Sequence, residues 1–222
     1  KENNNLTITG TTRQNHVCAL HLFYFIYLDI RNMMTLLEPL TEAQRQGVVE
    51  AMTRISALLG ERNREYLLRD PQPGDMGWVV HKQAQLYATE YGWNSEFEAL
   101  LAEIVSKYLR DHDPASDRCW IAEQHGDIIG SVFVVRHDAN TAKLRMLYVD
   151  ASARGLGVGR TLVEEAIAFA RSAGYSRMVL WTNAVLHDAV RLYEKAGFAL
   201  VEEEQHHSFG KDQVSQVWAR DL

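Results

Sequence analysis

The stretch Val149-Asp-Ala-Ser-Ala-Arg-Gly-Leu-Gly-Val-Gly159 joins a predicted strand, Leu144–Val149, to a predicted amphipathic helix. That helix is indicated by apolar residues at helical spacing, namely Leu162, Val163, Ala166, Ile167 and Ala170. Free backbone amides and the dipole at such a helix start favour a bound anion. Gly155, Gly157 and Gly159 would let the main chain close on a diphosphate that a Cβ would hold away. The stretch therefore predicts a binding loop for a phosphorylated ligand.

Two common glycine motifs do not fit this loop. A dinucleotide-binding fingerprint, G-x-G-x-x-G, would need a glycine where Arg160 stands. A P-loop needs a Lys-Ser or Lys-Thr pair, and neither pair occurs in the chain. The motif that remains after these exclusions is Arg154-x-x-Gly157-x-Gly159. A tight turn that binds no ligand is the alternative interpretation of this motif.

This motif resembles the pyrophosphate-binding motif of the GNAT superfamily of acyl-CoA N-acyltransferases, often written [QR]-x-x-G-x-[GA]. The run Arg191–Phe198 resembles the second signature of that family, in which a tyrosine, here Tyr193, precedes a Gly-Phe pair by four residues. The two signatures stand in the family's order. The resemblance covers the chain from about Met76 to Leu222.

The resemblance implies an α/β (α+β) fold, a mixed and mostly antiparallel sheet flanked by helices, with an N-terminal helical appendage. Hydrophobic patterning predicts elements in the order β-α-α-β-β-β-α-β-α-β-β. Besides Leu144–Val149 and its helix, they are the strand Gly77–His81, helices Lys82–Tyr91 and Phe97–Leu109, the hairpin Cys119–Glu123 and Ile128–Val135, the strand Ser176–Thr182, a helix from Leu186 that ends at Gly197, and the strands Phe198–Val201 and Val214–Leu222.

The length of the chain allows one domain of about 150 residues and an appendage. Together with the resemblance, this predicts an N-terminal helical segment, residues 1–70, and a GNAT acetyltransferase domain, residues 71–222, joined by the linker Asp70–Asp75. The first part carries 8 basic and 8 acidic residues, and the second carries 15 and 21. Neither part has the basic excess that autonomous nucleic-acid binding usually requires. Cys18 and Cys119 lie in apolar runs without metal-ligand spacing, so we expect buried thiols, a cytoplasmic location and no metal, with a disulfide left open.

The N-terminal segment contains a predicted helix, Leu40–Gly60, which opens with a capping box at Thr41–Gln44. It resembles the last helix of a MarR-type winged-helix regulator, a module that natural chains join to GNAT domains. Only the tail of such a regulator is visible, so we expect DNA binding only if a complete regulator exists in a longer chain.

A second apolar run, Val17–Leu28, is too short to span a membrane and lacks the flanking features of a signal peptide. We expect a buried helix or a self-association surface there, and no membrane. Since some seventy residues make at best a marginal core, the apolar faces of this segment predict a homodimer.

The GNAT resemblance implies an N-acetyltransferase that moves an acetyl group from acetyl-CoA directly to an unidentified primary amine. Tyr193 is then the general acid that protonates the CoA thiolate, or else a tyrosine packed in the core. Family analogy gives the amide of Val149 the role of polarising the thioester oxygen. The implied acetyl-CoA-binding residues are Leu147, Tyr148, Val149, Arg154, Gly155, Leu156, Gly157, Val158, Gly159, Arg160 and Asn183.

The general base is harder to identify, because Leu144–Val149 contains no carboxylate where many family members carry one. Glu123 is our candidate for the general base, and Glu90, His81 or a water chain are the alternatives. The acceptor pocket is expected from His81, Tyr87, Glu90, Tyr91, Trp93 and His206. The adjacent pair His206-His207 should point apart, which makes it a poor metal site.

Two other functions remain open. The missing strand carboxylate is compatible with an acyl-CoA-binding sensor module of a transcriptional regulator, with little or no turnover. The chain could also be part of a transcription factor whose DNA-binding part is truncated.

Overall fold

The computed structural model describes residues 38–48, 51 and 66–222. They divide between two compact units, Lys1–Arg62 and Asn63–Leu222. In the first unit, residues 42–48 are helical, and Thr41 and Gln44 form the predicted capping box through reciprocal bonds of 2.9 Å and 3.3 Å. Val17–Leu28 with Cys18, and most of Leu40–Gly60, lie outside the described residues, so the homodimer and the MarR-like segment stay predictions.

The second unit is a seven-stranded sheet flanked by helices. Its strand order is β1-β2-β3-β4-β5-β7-β6, and every neighbouring pair is antiparallel except β4–β5, which is parallel. The elements are β1 (Leu67–Arg69), α1 (Asp75–Tyr91), α2 (Ser95–Asp111), β2 (Arg118–Gln124), β3 (Asp127–Arg136), β4 (Thr141–Val149), a 3-10 turn (Ala151–Ala153), α3 (Val158–Ser172), β5 (Arg177–Asn183), α4 (His187–Lys195), β6 (Ala199–Ser208) and β7 (Lys211–Asp221). The predicted fold class and order of elements are confirmed.

The prediction of a strand at Gly77–His81 is wrong, because these residues belong to α1. The buried positions Met76, Val79 and Gln83 follow helical spacing, and a five-residue apolar run is too short to distinguish a strand from a helix. The first strand is instead β1, which pairs with β2 and lies before the predicted boundary at residue 70. The sheet therefore begins in sequence that we had assigned to the N-terminal segment.

Two apolar clusters cover the two faces of the sheet. On one face, α3 buries all five residues of its predicted stripe against strand residues such as Val132 and Leu180. On the other face, α1 and α2 pack on Ile121 and Phe133. Among the described residues, every helix is too short or too polar to cross a bilayer.

A β-bulge interrupts β4 at its centre. Arg145 pairs with Phe133 and Tyr148 pairs with Ser131, so two residues of β4, Met146 and Leu147, stand opposite one residue of β3. Met146 has a φ of 53°, and its carbonyl accepts a 3.1 Å hydrogen bond from the buried Ser131 hydroxyl. The bulge shifts the alternation of the strand, so that Met146 packs towards α1 and α2 whereas Leu147 packs towards α3.

The parallel pairing of β4 with β5 ends just before the bulge. The last paired residues are Leu144 and Leu180, although β4 continues to Val149 and β5 to Asn183. The two strands therefore separate at their carboxyl ends and open a gap in the middle of the sheet.

Candidate active site

The start of α3 is built as an anion cradle. Gly155 and Gly157 adopt φ angles of 82° and 87°, which L side chains rarely adopt. In the described part of the chain, the amides of Val158–Arg160 have no backbone carbonyl partner, because they form the first turn of the helix. A Cβ on Gly159 would lie 3.3 Å from Leu192, so this glycine allows a close approach to α4.

The arginine that opens the cradle is held by α1. The Nη2 atom of Arg154 donates to Oε1 of Glu90 at 2.7 Å, and this hydrogen bond is the main cause of the raised pKa of Arg154. Arg160 is exposed and lies 3.9 Å from Glu164. Glu90, predicted in the acceptor pocket, therefore orients a residue of the cradle.

Beside the cradle, the end of β4 turns its main chain into the gap. The amide of Asp150 donates to the carbonyl of Ile129 at 2.8 Å. Bonded and non-bonded pairs alternate in an antiparallel ladder, so Val149, opposite Gly130, directs its N–H and C=O away from β3. These groups point to the side from which β5 has separated, where an extended ligand could pair with them.

Two neighbouring cavities lie beside the end of β4. A small cavity of about 190 Å³ is lined by Leu147, Tyr148, Val149 and Arg154 from the β4 side and by Leu192 of α4. A central cavity of about 590 Å³ lies between α1, α2, β4, β5 and β6. The two cavities share the lining residues Tyr87, Leu147, Leu186 and Ala189, so they lie next to each other.

Tyr193 lines the central cavity from α4 and is 6 % exposed. Burial raises the pKa of Tyr193 well above its usual range, and the nearby Tyr87 adds to the effect. Its hydroxyl forms no hydrogen bond with the described residues, while its ring packs edge-on against Phe198. Tyr193 is therefore a protonated phenol inside the cavity, able to donate its proton to a ligand.

Asn183 and His206 lie together on the wall formed by β5 and β6. Asn183 is the last residue of β5, only 1 % exposed, and its Oδ1 lies 3.4 Å from Nε2 of His206. Nδ1 of His206 lies 2.9 Å from the hydroxyl of Ser208. His207 points the other way, as predicted, and is exposed with Asp212 as its partner. Within the described residues, no group of three or more His, Cys, Asp or Glu side chains could hold a metal.

Five of the six residues predicted for the acceptor pocket line cavities, and four of them, Glu90, Tyr91, Trp93 and His206, together border a further open cavity of about 770 Å³. Tyr87, Trp93 and His206 line the central cavity, and the first two stack with ring centroids 4.7 Å apart. Glu90 and Tyr91 line the small cavity. His81 is exposed on α1 and lines none of these cavities.

Glu123 does not reach either cavity, which corrects its prediction as the general base. Its carboxylate accepts a hydrogen bond of 2.5 Å from Nε of Arg69, and Arg69 also donates to Asp75 at 2.6 Å. This network joins β1, β2 and the start of α1 at one edge of the sheet. Glu123 is therefore a structural ion-pair partner.

The sequence analysis missed several polar residues of the central cavity. The signal that could have revealed two of them is the alternation of Lys143 and Arg145 in an otherwise apolar strand, because a central strand has no solvent-facing side for such charges. The remaining missed residues lie on elements that are distant in sequence and meet only in the fold. The missed residues include Gln83, Lys143, Arg145, Trp181 and Glu204.

Comparison with known proteins gives the same assignment over most of the second unit. Residues 80–198 match the model of the acetyltransferase (GNAT) family. The N-acetylaspartate synthetase of Danio rerio is 36% identical over 109 residues, which are 49% of this chain and 38% of that protein. An uncharacterised N-acetyltransferase of Schizosaccharomyces pombe is 34% identical over 125 residues, which are 55% of this chain and 76% of that protein. The chain thus spans about three quarters of the yeast relative but well under half of the zebrafish one.

Solved structures share the fold at low sequence identity. The ribosomal-protein-alanine N-acetyltransferase from Brucella melitensis superposes with a TM-score of 0.58 at 20% identity, over 70% of this chain and 99% of that chain. The yncA protein from Salmonella typhimurium, solved with its cofactor acetyl-CoA, has a TM-score of 0.56 at 19% identity, over 71% of this chain and 94% of that chain. The family match begins at residue 80 and does not reach the MarR-like segment.

Proposed function

The chain belongs to the acetyltransferase (GNAT) family, and we propose that it transfers an acetyl group from acetyl-CoA directly to a primary amine. The observation that carries this proposal is a pair of adjacent cavities, one bordered by Arg154 of the cradle and by the open edge of β4, the other bordered by Tyr193. A diphosphate, an extended thioester arm and a leaving thiolate need these three features.

The residues of the cradle fit the diphosphate of CoA. The free amides of the first turn of α3, with the left-handed Gly155 and Gly157, offer donors at a position where a side chain would be in the way. Arg154 and Arg160 add positive charge nearby. The outward N–H and C=O groups of Val149 can pair with the amides of the pantetheine arm, as an added strand would.

Acetyl-CoA supplies the acetyl group in activated form, as a thioester. The single N–H of Val149 can bond either the pantetheine arm or the thioester. In the proposed transfer it donates to the thioester oxygen and polarises it, while the C=O of Val149 pairs with the arm. Tyr193 is a protonated phenol at neutral pH, as tyrosines ordinarily are, and it holds the proton that the departing sulfur needs. The proton lost by the amine must leave through the central cavity, where His206 and Glu204 replace Glu123 as the groups able to accept it.

Titration with acetyl-CoA and measurement of free thiol across a panel of primary amines test the proposal. We expect saturable binding of acetyl-CoA, together with thiol release that depends on the amine and yields the N-acetyl product. Binding of acetyl-CoA without thiol release from any amine would instead support the alternative of an acyl-CoA sensor with little or no turnover.

A further inference from the structure

Two cations of the central strand face the acceptor side of the central cavity. Lys143 and Arg145 are two residues apart on β4, so their side chains share one face of the strand, and the buried Leu144 lies between them on the other face. Both cations line the central cavity. Both are half-buried rather than exposed. Burial lowers the pKa of each side chain, and for Lys143 the neighbouring Arg145 lowers it further.

Neither cation forms a hydrogen bond or an ion pair with the residues that the structure describes. The negative charge of Glu103 on α2 acts to raise the pKa of Arg145, but the two side chains are farther apart than an ion pair. The two cations also border another cavity of about 370 Å³, different from the central and small cavities. The carboxylates of this cavity have other partners. Asp111 pairs with Lys107, Asp113 lies near Arg136, and Asp117 accepts from the amides of Asp113 and Arg136. The positive charge at this site is therefore not balanced by a bonded protein group.

A third polar group on the wall of the cavity also lacks a partner. Gln83 of α1 is only 3 % exposed and lines the central cavity, yet its side-chain amide nitrogen makes no hydrogen bond. A buried amide without a partner is destabilising unless a ligand or water satisfies it. The carboxylate that lines the same cavity, Glu204, is exposed on β6. The interior part of the cavity thus presents donors and positive charge.

We propose that the acceptor is an amine that also carries a carboxylate, as an amino acid does, and that Lys143 and Arg145 bind this carboxylate. The inference rests on the proposed function for the identity of the reaction, but its binding claim is independent of turnover. Along β4 the two cations precede the bulge at Met146, whereas the cradle follows the strand end at Val149. The two anionic groups, diphosphate and carboxylate, are therefore assigned to positions on opposite sides of the bulge in the same strand.

The aromatic part of the lining defines the rest of the acceptor. Trp93, Phe97 and Phe209 pack against one another with ring centroids 4.6–5.1 Å apart and border the same cavity. Such a wall suits an apolar side chain. An amino acid with an aromatic or long aliphatic side chain satisfies both parts of the cavity.

The test compares amines that differ only in one carboxylate. Phenylalanine is paired with 2-phenylethylamine, tryptophan with tryptamine, and leucine with 3-methylbutylamine, and each is titrated by calorimetry into the full chain with and without CoA. We expect the carboxylate member of at least one pair to bind about 10- to 100-fold more tightly, the range typical of a hydrogen bond to a charged group. Absence of this preference in every pair, including absence of any binding, would overturn the proposal.

Matched variants locate the preference. Arg145→Gln and Lys143→Gln should each reduce the affinity for the carboxylate member about 10-fold or more, and leave the affinity for its decarboxylated partner nearly unchanged. Lys107→Gln removes an exposed positive charge that pairs with Asp111 outside the central cavity, and it should change neither. Equal losses in all three variants would show a general charge effect and would also overturn the proposal.

Thiol release from acetyl-CoA, measured with the same amines, separates the two proposals. Carboxylate-selective binding without thiol release leaves this inference standing and contradicts the acetyl transfer. Thiol release with equal kcat/KM for both members of every pair supports the transfer and overturns the carboxylate site.

Discussion

The cofactor end and the acceptor end of the cavity are built in different ways. The cradle comes from one continuous stretch, Val149–Arg160, and it acts mainly through main-chain amides and glycine conformation. The acceptor end collects side chains from Gln83 to Ser215, carried by two helices and several strands. Main-chain chemistry follows from local sequence, whereas a pocket of side chains exists only after the chain has folded.

Tyr193 lines the central cavity as the proposed general acid, and its replacement should have the largest effect. We expect Tyr193→Phe to lower kcat by about 10²- to 10⁴-fold, the usual range for loss of a general acid, and to leave the Kd for acetyl-CoA nearly unchanged. Steady-state kinetics and calorimetry measure the two quantities.

Tyr175→Phe is the matched control for this variant, since Tyr175 is also buried but donates its hydroxyl to the carbonyl of Ser116, outside the central cavity. It should retain wild-type kcat. Wild-type turnover in Tyr193→Phe would reduce Tyr193 to a packing residue.

Gly157→Glu tests whether the main chain of the cradle binds the diphosphate of acetyl-CoA. The substitution places a side chain and a negative charge on a left-handed residue at the start of α3, where the helix dipole favours an anionic ligand. We expect the Kd for acetyl-CoA to rise at least about 10-fold, since charge near a helix end is worth up to about 2 kcal/mol in addition to the steric conflict.

Gly174→Glu carries the same backbone strain, because Gly174 has a φ of 85°, but it follows the other end of α3. Comparison of the two variants isolates the contribution of the cradle from the strain itself. If both variants bind acetyl-CoA equally well while folded, the cradle is not the diphosphate site.

Glu123→Gln should affect stability and not catalysis, because Glu123 lies outside both ends of the cavity. We expect wild-type kcat and a free energy of unfolding lower by about 1–2 kcal/mol, since a charged hydrogen bond to Arg69 is weakened at a partly exposed site. Denaturant unfolding and steady-state kinetics measure the two effects. A large loss of kcat in a fully folded variant would restore Glu123 as the base.

The same network predicts how stability responds to acid. Burial alone would raise the pKa of Asp75, but hydrogen bonds from Arg69 and from the amide of Gln72 outweigh it and lower the pKa overall. A carboxylate with a lowered pKa in the folded state stabilises the fold above its unfolded value and loses this contribution as pH falls through the folded value. The wild-type chain should therefore lose stability below about pH 4, and Asp75→Asn should flatten this dependence.

The elements with a sustained period could be predicted from the sequence, and short elements could not. Five of the six buried residues of α3 form the predicted helical stripe, but β1 has only three residues and carries no periodic signal. The role of Glu123 was misjudged for a related reason, because its partner Arg69 is 54 positions away in the chain. The cradle was identified since its parts are adjacent; the pairing of Arg154 with Glu90 was not, since folding brings them together across 64 positions.

Because of the bulge at Met146, the site depends more on the number of residues in β4 than on their identity. The bulge keeps Lys143 and Arg145 on one face and Leu147 on the other, and it sets the direction of the Val149 amide. Removing or adding one residue here would send every later side chain to the opposite face and turn that amide towards β3. Substitutions along β4 can change which acceptor is bound, but an insertion or deletion within the strand would abolish the acceptor site and the pantetheine edge together.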